Sequence, residues 1–270
     1  MHARVITTSR ITPTLVRVVL GGGDLAALTM PEATDAYVNV AIAPPGAPYG
    51  EVFDCAQVRE VCPRDLWPAR RRYTVRSWDP ARPALTLDVV VHGDTGVAGR
   101  WAAAARPGDC LVFEGPAGGY RPDPDADWHL LVGDESALPA IAASLEVLPA
   151  GARAVVRLVC DGPDHEVRLV SEADVDLRWL HRTGAPGDED LLASAVRAMT
   201  FPRGRVHAFV HGEAVEIRGI RRHLLLDRGV ARADMSCSPY WRREMTDEAW
   251  REVKRDFVAA MDAELVGRAP

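Results

Sequence analysis

Apolar and polar positions alternate through residues 84–92 (ALTLDVVVH). Leu85, Leu87, Val89 and Val91 fall on one side, and Thr86, Asp88, Val90 and His92 on the other. That period of two predicts a half-buried antiparallel strand. The runs at 15–20 (LVRVVL), 37–43 (YVNVAIA), 71–78 (RRYTVRSW) and 109–115 (DCLVFEG) are also short and rich in β-branched residues. Turn sequences separate them: GGGD at 21–24, PPGAP at 44–48 and WDPARP at 78–83. Short strands with frequent turns predict a small barrel or sandwich. One helix interrupts the run over 94–109, where glycines open an alanine-rich stretch and Pro107-Gly108 stops it.

The rhythm changes after about residue 125. Residues 127–151 (DWHLLVGDESALPAIAASLEVLPAG) predict an apolar strand, a Gly-Asp-Glu-Ser turn and a helix that tolerates Pro139 in its first turn. Strands at 153–160, 175–181 and 205–211 then alternate with helices at 188–199 and 213–228. This alternation predicts a parallel sheet in an α/β domain. The segment RPDPDAD (121–127) is the natural boundary, giving domains 1–124 and 125–270. A last helix is predicted over 246–265, with Thr246 as N-cap and Trp250, Val253, Phe257 and Met261 forming one apolar stripe.

Composition narrows the function classes. The chain has 270 residues, 47% hydrophobic and 26% charged, which is ordinary for a globular protein. A formal net charge of −6 supplies no general field for nucleic acid. The five widely spaced cysteines (Cys55, Cys62, Cys110, Cys160, Cys237) form no CxxC motif and predict reduced thiols in a cytoplasmic protein. The N-terminus has no signal-peptide pattern, and the apolar stretches are too short for a bilayer. No membrane or nucleic-acid partner is expected, and a monomer is. Lys254 is the only lysine, so every other basic side chain is an arginine, the residue suited to bidentate grips on phosphate or carboxylate.

Candidate chemistry centres on residues 70–79 (RRRYTVRSWD). Strand alternation puts Arg71, Tyr73 and Val75 on one face and Arg72, Thr74 and Arg76 on the other. A phosphate-binding fork beside an aromatic plane suits a flat anionic cofactor; a solvated charged face is the other reading. In residues 92–102 (HGDTGVAGRWA), the small residues Gly96, Ala98 and Gly99 open a helix whose free amides make an anion site, or simply a glycine turn. Other chemistries are thinly supported. His207 and His211 lie on a strand with Phe209 between them, unlike a helical zinc pair, so no metal site is expected. Ser136 lacks a G-x-S-x-G elbow, and no G-x-G-x-x-G occurs.

Five stretches, taken in order, resemble the siderophore-interacting protein family, flavoproteins related to ferredoxin reductases that act as ferric-siderophore reductases. RRYTVR is similar to the family's flavin-binding R-x-Y-T strand, and HGDTGVAGRWAAAARPGD to its HGDxGPASxWAxxAxPGD element. DWHLLVGDESALPAI resembles the opening of its nicotinamide-binding half. RVHAFVHGEAVEIRGIRRHL resembles a later strand with a Gly-Glu turn, and SPYWRREMTDEAW the terminal signature. The resemblance implies an N-terminal antiparallel β-barrel of ferredoxin-reductase type that binds FAD, and a C-terminal α/β parallel-sheet domain of nicotinamide-binding type. It implies that Arg71 holds the FAD diphosphate, Tyr73 stacks on the isoalloxazine and Thr74 lies near its reactive nitrogen. Tyr73 and Thr74 are thus the catalytic candidates, flanked by Val75 and Arg76. His92, Gly96, Val97, Ala98 and Gly99 complete the FAD site. Gly133, Asp134, Glu135 and Ser136, at the carboxyl end of the second domain's first strand where ligands of such sheets bind, and Gly212 and Glu213 in the comparable later turn, are further cofactor-binding candidates. Tyr240 and Trp241 close over the flavin region or help bind the electron donor.

The implied reaction is reduction of a ferric siderophore with release of Fe(II), with electrons from NADPH, NADH or reduced ferredoxin. A ferredoxin is thus a possible partner. Arg64, Arg70, Arg72, Arg76, Arg242 and Arg243 are candidates for contact with an anionic chelate. Val97 and Gly99 replace the family's proline and serine, Ser136 replaces a threonine, and the terminal signature loses two glycines. A general flavin or ferredoxin-type reductase, and a non-catalytic siderophore- or flavin-binding module, are the alternatives.

Overall fold

The structure is a computed structural model describing residues 1–91 and 96–266. The chain divides into two compact units, residues 1–121 and those from 122 onward.

Six strands build the first unit: β1 (His2–Thr12), β2 (Leu15–Gly21), β3 (Tyr37–Ile42), β4 (Ala69–Asp79), β5 (Ala84–Val90) and β6 (Cys110–Ala117). They close into a barrel in the order β1-β2-β5-β4-β3-β6, with antiparallel neighbours throughout. Closure removes every free sheet edge. Val18, Leu20, Val38, Leu85 and Phe113 fill the interior and are fully buried. Helix α1 (Cys55–Val61) sits in the long β3–β4 connection, and Asp54 caps it by accepting the Ala56 and Gln57 amides. Helix α2 (Val97–Ala104) packs Ala98 and Ala102 against the barrel core. It lies inside the helix predicted over 94–109; of that span, Asp94 and Thr95 are outside the described residues.

Two features of the barrel depart from the sequence expectation. Strand β1 was not expected, because only Ala3, Val5 and Thr12 of its eleven residues are buried and no apolar alternation survives. In β5, Asp88 sits on the polar side of the pattern yet is only 6% exposed. Its cross-strand neighbour Arg17 holds it bidentately, with both N···O distances at 2.7 Å.

The second unit is a parallel five-stranded sheet of β7 (Trp128–Gly133), β8 (Arg153–Cys160), β9 (Asp174–His181), β10 (Val206–Glu213) and β11 (Met235–Trp241), ordered β11-β10-β7-β8-β9. Helices α3 (Leu138–Val147), α4 (Leu191–Ala198) and α5 (Ala214–Arg222) connect or follow the strands, and α5 runs on as a π-helical turn to Asp227. Edge strand β11 was missed because MSCSPYW shows no apolar period, and an edge is where Pro239 is tolerated. The order of strands reverses between β7 and β10, so the carboxyl ends of those two strands flank a crevice of the kind that binds ligands in open α/β sheets.

Helix α6 (Asp247–Val266) starts as predicted, with Thr246 Oγ1 accepting the Ala249 amide at 3.2 Å. Trp250 and Met261 are buried and Phe257 half-buried, but Val253 is 39% exposed. Lys254, half-buried, takes the inward position instead, its aliphatic stem suiting that face. No helix among the described residues is long and apolar enough to cross a membrane.

Candidate functional site

In the barrel, the register of β4 on β3 fixes which side chains share a face. Val40 lies opposite Arg71 and Val38 opposite Tyr73; directly opposed residues project to the same side. Arg71, Tyr73 and Val75 therefore share the face of core-lining Val38 and Val40. Val75 is buried, while Arg71 and Tyr73 are half-buried, with the Tyr73 ring packed against the barrel core cluster. The same cluster takes Val97 and Ala98 from the first turn of α2. An aromatic ring and a helix start thus abut one apolar core, and Arg71, whose Nη1 donates to the Arg70 carbonyl at 3.0 Å, shares the strand face of that ring.

Gly96 precedes α2 with φ +84°, and a Cβ built on it would meet nothing within 4 Å. The turn stands open before amides that have no intrahelical partner. Ala98 and Gly99 are buried, and Val97 is half-buried. A cation, an aromatic plane and open amides are a donor set that fits a diphosphate-bearing flavin. His92 lies outside the described residues.

The opposite face of β4 is different in kind. Arg72 is exposed, with its guanidinium 5.7 Å from the centroid of the Tyr37 ring. Thr74 lies opposite Tyr37, and Arg76 falls where the register with β5 shifts between Val75 and Ser77. Arg70 is tied to Glu114, and Arg64 is exposed in a 3-10 turn.

In the second unit, Gly133 and Asp134 end β7 and Gly212 and Glu213 end β10, the two strands that flank the reversal. Glycine is sterically required at both strand ends. A Cβ on Gly133 would stand 2.5 Å from Ala137 Cβ and 2.7 Å from the His211 carbonyl oxygen. At Gly212, where φ is +147°, it would stand 2.6 Å from Asp134 Oδ2. Asp134 is 1% exposed and fully engaged: Oδ1 accepts the Ser136 amide at 2.8 Å and the Ser136 hydroxyl, and Oδ2 accepts the Trp241 indole N–H at 2.8 Å. Glu213 caps α5 through the Val215 and Glu216 amides and accepts the Arg243 amide. The terminal aromatics are therefore fastened within the second unit, Trp241 by Asp134, and Tyr240 with its ring 4.7 Å from that of His211.

The turn acids Asp134, Glu135 and Glu213 serve as struts here. Glu135 grips Arg182 bidentately at 2.6 and 2.9 Å, and burial pushes its carboxyl above the ordinary range. Arg243 donates to the Asp188 carbonyl at 3.0 Å and lies 3.5 Å from Glu216 Oε2, while Arg242 stands 5.4 Å from the Phe257 ring. His211 is buried, with Nε2 3.0 Å from Ser236 Oγ, and burial lowers its pKa to about 3. His207 Nδ1 accepts the Asp123 amide. Among the described residues, no group of three or more His, Cys, Asp or Glu is placed to hold a metal ion.

Sequence reading missed Glu216, Arg182 and Asp161. Glu216 is 2% exposed and accepts the Leu192 amide at 2.8 Å, joining the starts of α4 and α5. Burial lifts its pKa to about 7; the Leu192 amide and Arg243 oppose the rise, and the Asp134 and Glu213 carboxylates add to it. Because the folded value exceeds the ordinary 4.5, the group favours folding below about pH 4.5, and that contribution is lost as pH rises through about 7. The interval corresponds to about 3 kcal/mol. Glu216→Gln abolishes the titration and keeps an acceptor for Leu192. Its stability relative to wild type should therefore rise by about 3 kcal/mol between pH 4.5 and pH 8. Urea unfolding at a series of pH values checks this, and a constant difference would refute it.

Comparison with known proteins places both units. Residues 4–120 match the siderophore-interacting FAD-binding domain and residues 126–244 the siderophore-interacting protein domain. An uncharacterized protein of Mycobacterium tuberculosis is 38% identical over 273 residues, covering 96% of each chain. The ferric vibriobactin reductase of Vibrio cholerae is 34% identical over 209 residues, covering 74% of each. The crystal structure of a siderophore utilization protein from T. fusca superimposes with a TM-score of 0.78 at 38% identity, covering 92% of this chain and 94% of that one. Phthalate dioxygenase reductase, at 14% identity, shares the fold with a TM-score of 0.60 over 92% of this chain and 70% of its own. The barrel and the parallel sheet thus share the fold of ferredoxin-reductase structures, and the chain belongs to the siderophore-interacting protein family.

Proposed function

We propose that this protein is an FAD-dependent ferric-siderophore reductase that draws electrons from NAD(P)H or reduced ferredoxin. The observation that carries the reading is Arg71 beside half-buried Tyr73 on the core-facing side of β4, within a region that matches an FAD-binding family. In this reading Arg71 grips the diphosphate with its planar fork, Tyr73 offers a ring to stack against, and the first-turn amides of α2 donate to the remaining phosphate oxygens. Thr74 and Val75 line the same strand segment beside Tyr73. A bound flavin supplies the conversion between two-electron and one-electron transfer. Fe(III) is held by the hard oxygens of its chelate, and reduction to Fe(II) weakens that hold, so the protein needs no iron ligands of its own.

In the second unit, glycines at the ends of β7 and β10 keep the crevice open, and Asp134 and Glu213 hold its walls. Tyr240 and Trp241 form one of those walls. Arg64, Arg72, Arg76 and Arg242 are the arginines proposed to meet an anionic chelate, and Arg70 and Arg243 pair with carboxylates. The proposal makes the protein a cytoplasmic monomer, in keeping with five free cysteines.

Anaerobic stopped-flow absorbance tests this reading. Purified protein should be yellow, should bleach with NADH, NADPH or reduced ferredoxin, and should recover its colour on mixing with a ferric catecholate or hydroxamate. Protein that stays colourless after FAD is added overturns the reading. A flavin that bleaches but recovers no faster with the chelates than without them overturns the assignment of acceptor.

A further inference from the structure

An open pocket of about 530 Å³ lies in the second unit, at the carboxyl ends of β8 and β9, where Asp161, Arg182, Thr183, Asp188, Glu189 and Arg243 line it. In open parallel sheets, the adenosine ribose of a dinucleotide meets the chain at this end. An acid there accepts the ribose 2′-hydroxyl, whereas an available arginine receives a 2′-phosphate. The pocket contains both residue types, so the question is which one a ligand can use.

Arg182 is already spent. Nη1 and Nη2 donate to the two Glu135 oxygens, and Nη1 also donates to Asp161 Oδ1 at 2.8 Å. Its side chain is 17% exposed and has two carboxylates against one positive charge. Two successive backbone amides in the pocket are occupied too. Asp188 Oδ2 accepts the Thr183 and Gly184 amides, both at 2.7 Å, filling the turn that would otherwise cradle an anion. Arg243, the second cation of the lining, donates to the Asp188 carbonyl and faces Glu216. Three carboxylates on the lining (Asp161, Asp188, Glu189) thus stand against two arginines, with Glu135 and Glu216 directly behind. A 2′-phosphate would bring roughly 1.5 to 2 further negative charges to a wall that is already net negative. A neutral ribose diol would not, and Asp161 is 46% exposed with only Oδ1 engaged, so Oδ2 can accept a hydroxyl.

We infer that this pocket receives the adenosine end of a nicotinamide dinucleotide with an unphosphorylated 2′-hydroxyl, so that Asp161 and the occupied Thr183–Gly184 amides select NADH against NADPH. The inference rests on the reading of the second unit as the electron-donor site.

Calorimetric titration of the full-length, flavin-loaded protein with ADP-ribose and with 2′-phospho-ADP-ribose tests it without turnover. ADP-ribose should bind tighter by about tenfold or more, because the 2′-phosphate would be set against like charge at the pocket wall. Asp161→Ser removes the acid and releases one Arg182 donor while Glu135 still positions the guanidinium; it should gain about tenfold for the phosphorylated ligand. Equal or tighter binding of 2′-phospho-ADP-ribose by the wild type overturns the inference. So does a preference unchanged in Asp161→Ser, or no binding of either ligand. Retained FAD, and reoxidation of the dithionite-reduced protein by a ferric chelate, then report separately whether the flavoprotein reading stands.

Discussion

Replacing Gly133 with alanine should cost about 3 kcal/mol of stability, the upper part of the range for overpacking a close-packed core. The new methyl would stand 2.5 Å from Ala137 Cβ and 2.7 Å from the His211 carbonyl. Neither neighbour is the movable tip of a long side chain: one is a buried methyl in the turn entering α3, the other is backbone of β10. Relief requires β7 and β10 to separate at their carboxyl ends, where the parallel ladder pairs His211 with Gly133. Gly151→Ala is the matched control. Its φ is +84° with nothing within 4 Å of an added Cβ, so it carries only conformational strain of about 1 to 2 kcal/mol. Denaturant midpoints for the two variants separate crowding from backbone strain. If Gly133→Ala proves no worse than Gly151→Ala, the close approach at the head of the sheet is wrong. Titration of the same Gly133→Ala protein with ADP-ribose shows whether spreading the strand ends also weakens nucleotide binding.

The contrast between these glycines shows what could be read from the chain alone. The family resemblance singles out Gly133 and Gly212, yet the atoms that make them necessary, Ala137 Cβ, the His211 carbonyl and Asp134 Oδ2, come from packing that no local pattern encodes. Strands with a strict apolar period, such as β5, were visible because one of their faces meets a dry core. Strand β1 was not, since only three of its residues are buried and the rest face outward from the barrel. Strand β11 was hidden for a different reason. An edge strand with serines and a proline has no periodic signature, and only its parallel register on β10 makes it a strand.

The candidate site divides the same way. Arg71 and Tyr73 are two residues apart, so strand geometry alone put them on one face. Trp241 and Asp134 are 107 residues apart, and Arg182 and Glu135 are 47 apart. Those pairings turn acids that looked like ligand groups into struts. They also leave Asp161, in no sequence motif, with an unspent oxygen at the pocket.

Arg71→Ala should weaken FAD binding by about 10- to 100-fold, as befits loss of charge-assisted hydrogen bonds to a diphosphate at about 1.5 to 3 kcal/mol. Arg72→Ala, one residue along, should leave FAD affinity within about twofold, because surface substitutions outside a site are worth only about 0.5 kcal/mol. The distinction comes from β4 alone. Arg71 lies opposite Val40 on the core side, whereas Arg72 lies opposite Asn39 with its guanidinium over Tyr37. Tyr73→Phe should retain the cofactor, since the ring carries the contact. Tyr73→Ala should lose a further contribution of about 1 kcal/mol from stacking, together with any fixed tilt of the flavin, read as a loss of induced circular dichroism in the visible bands. Arg71→Lys discriminates between charge and fork: recovery of only part of the affinity is the outcome expected when a planar pair of donors, and not a point charge, holds the phosphates. Dissociation constants from flavin fluorescence quenching decide the series. Equal losses in Arg71→Ala and Arg72→Ala would mean that the arginines act only as a diffuse positive field, and the assignment of one face of β4 to the cofactor would be lost.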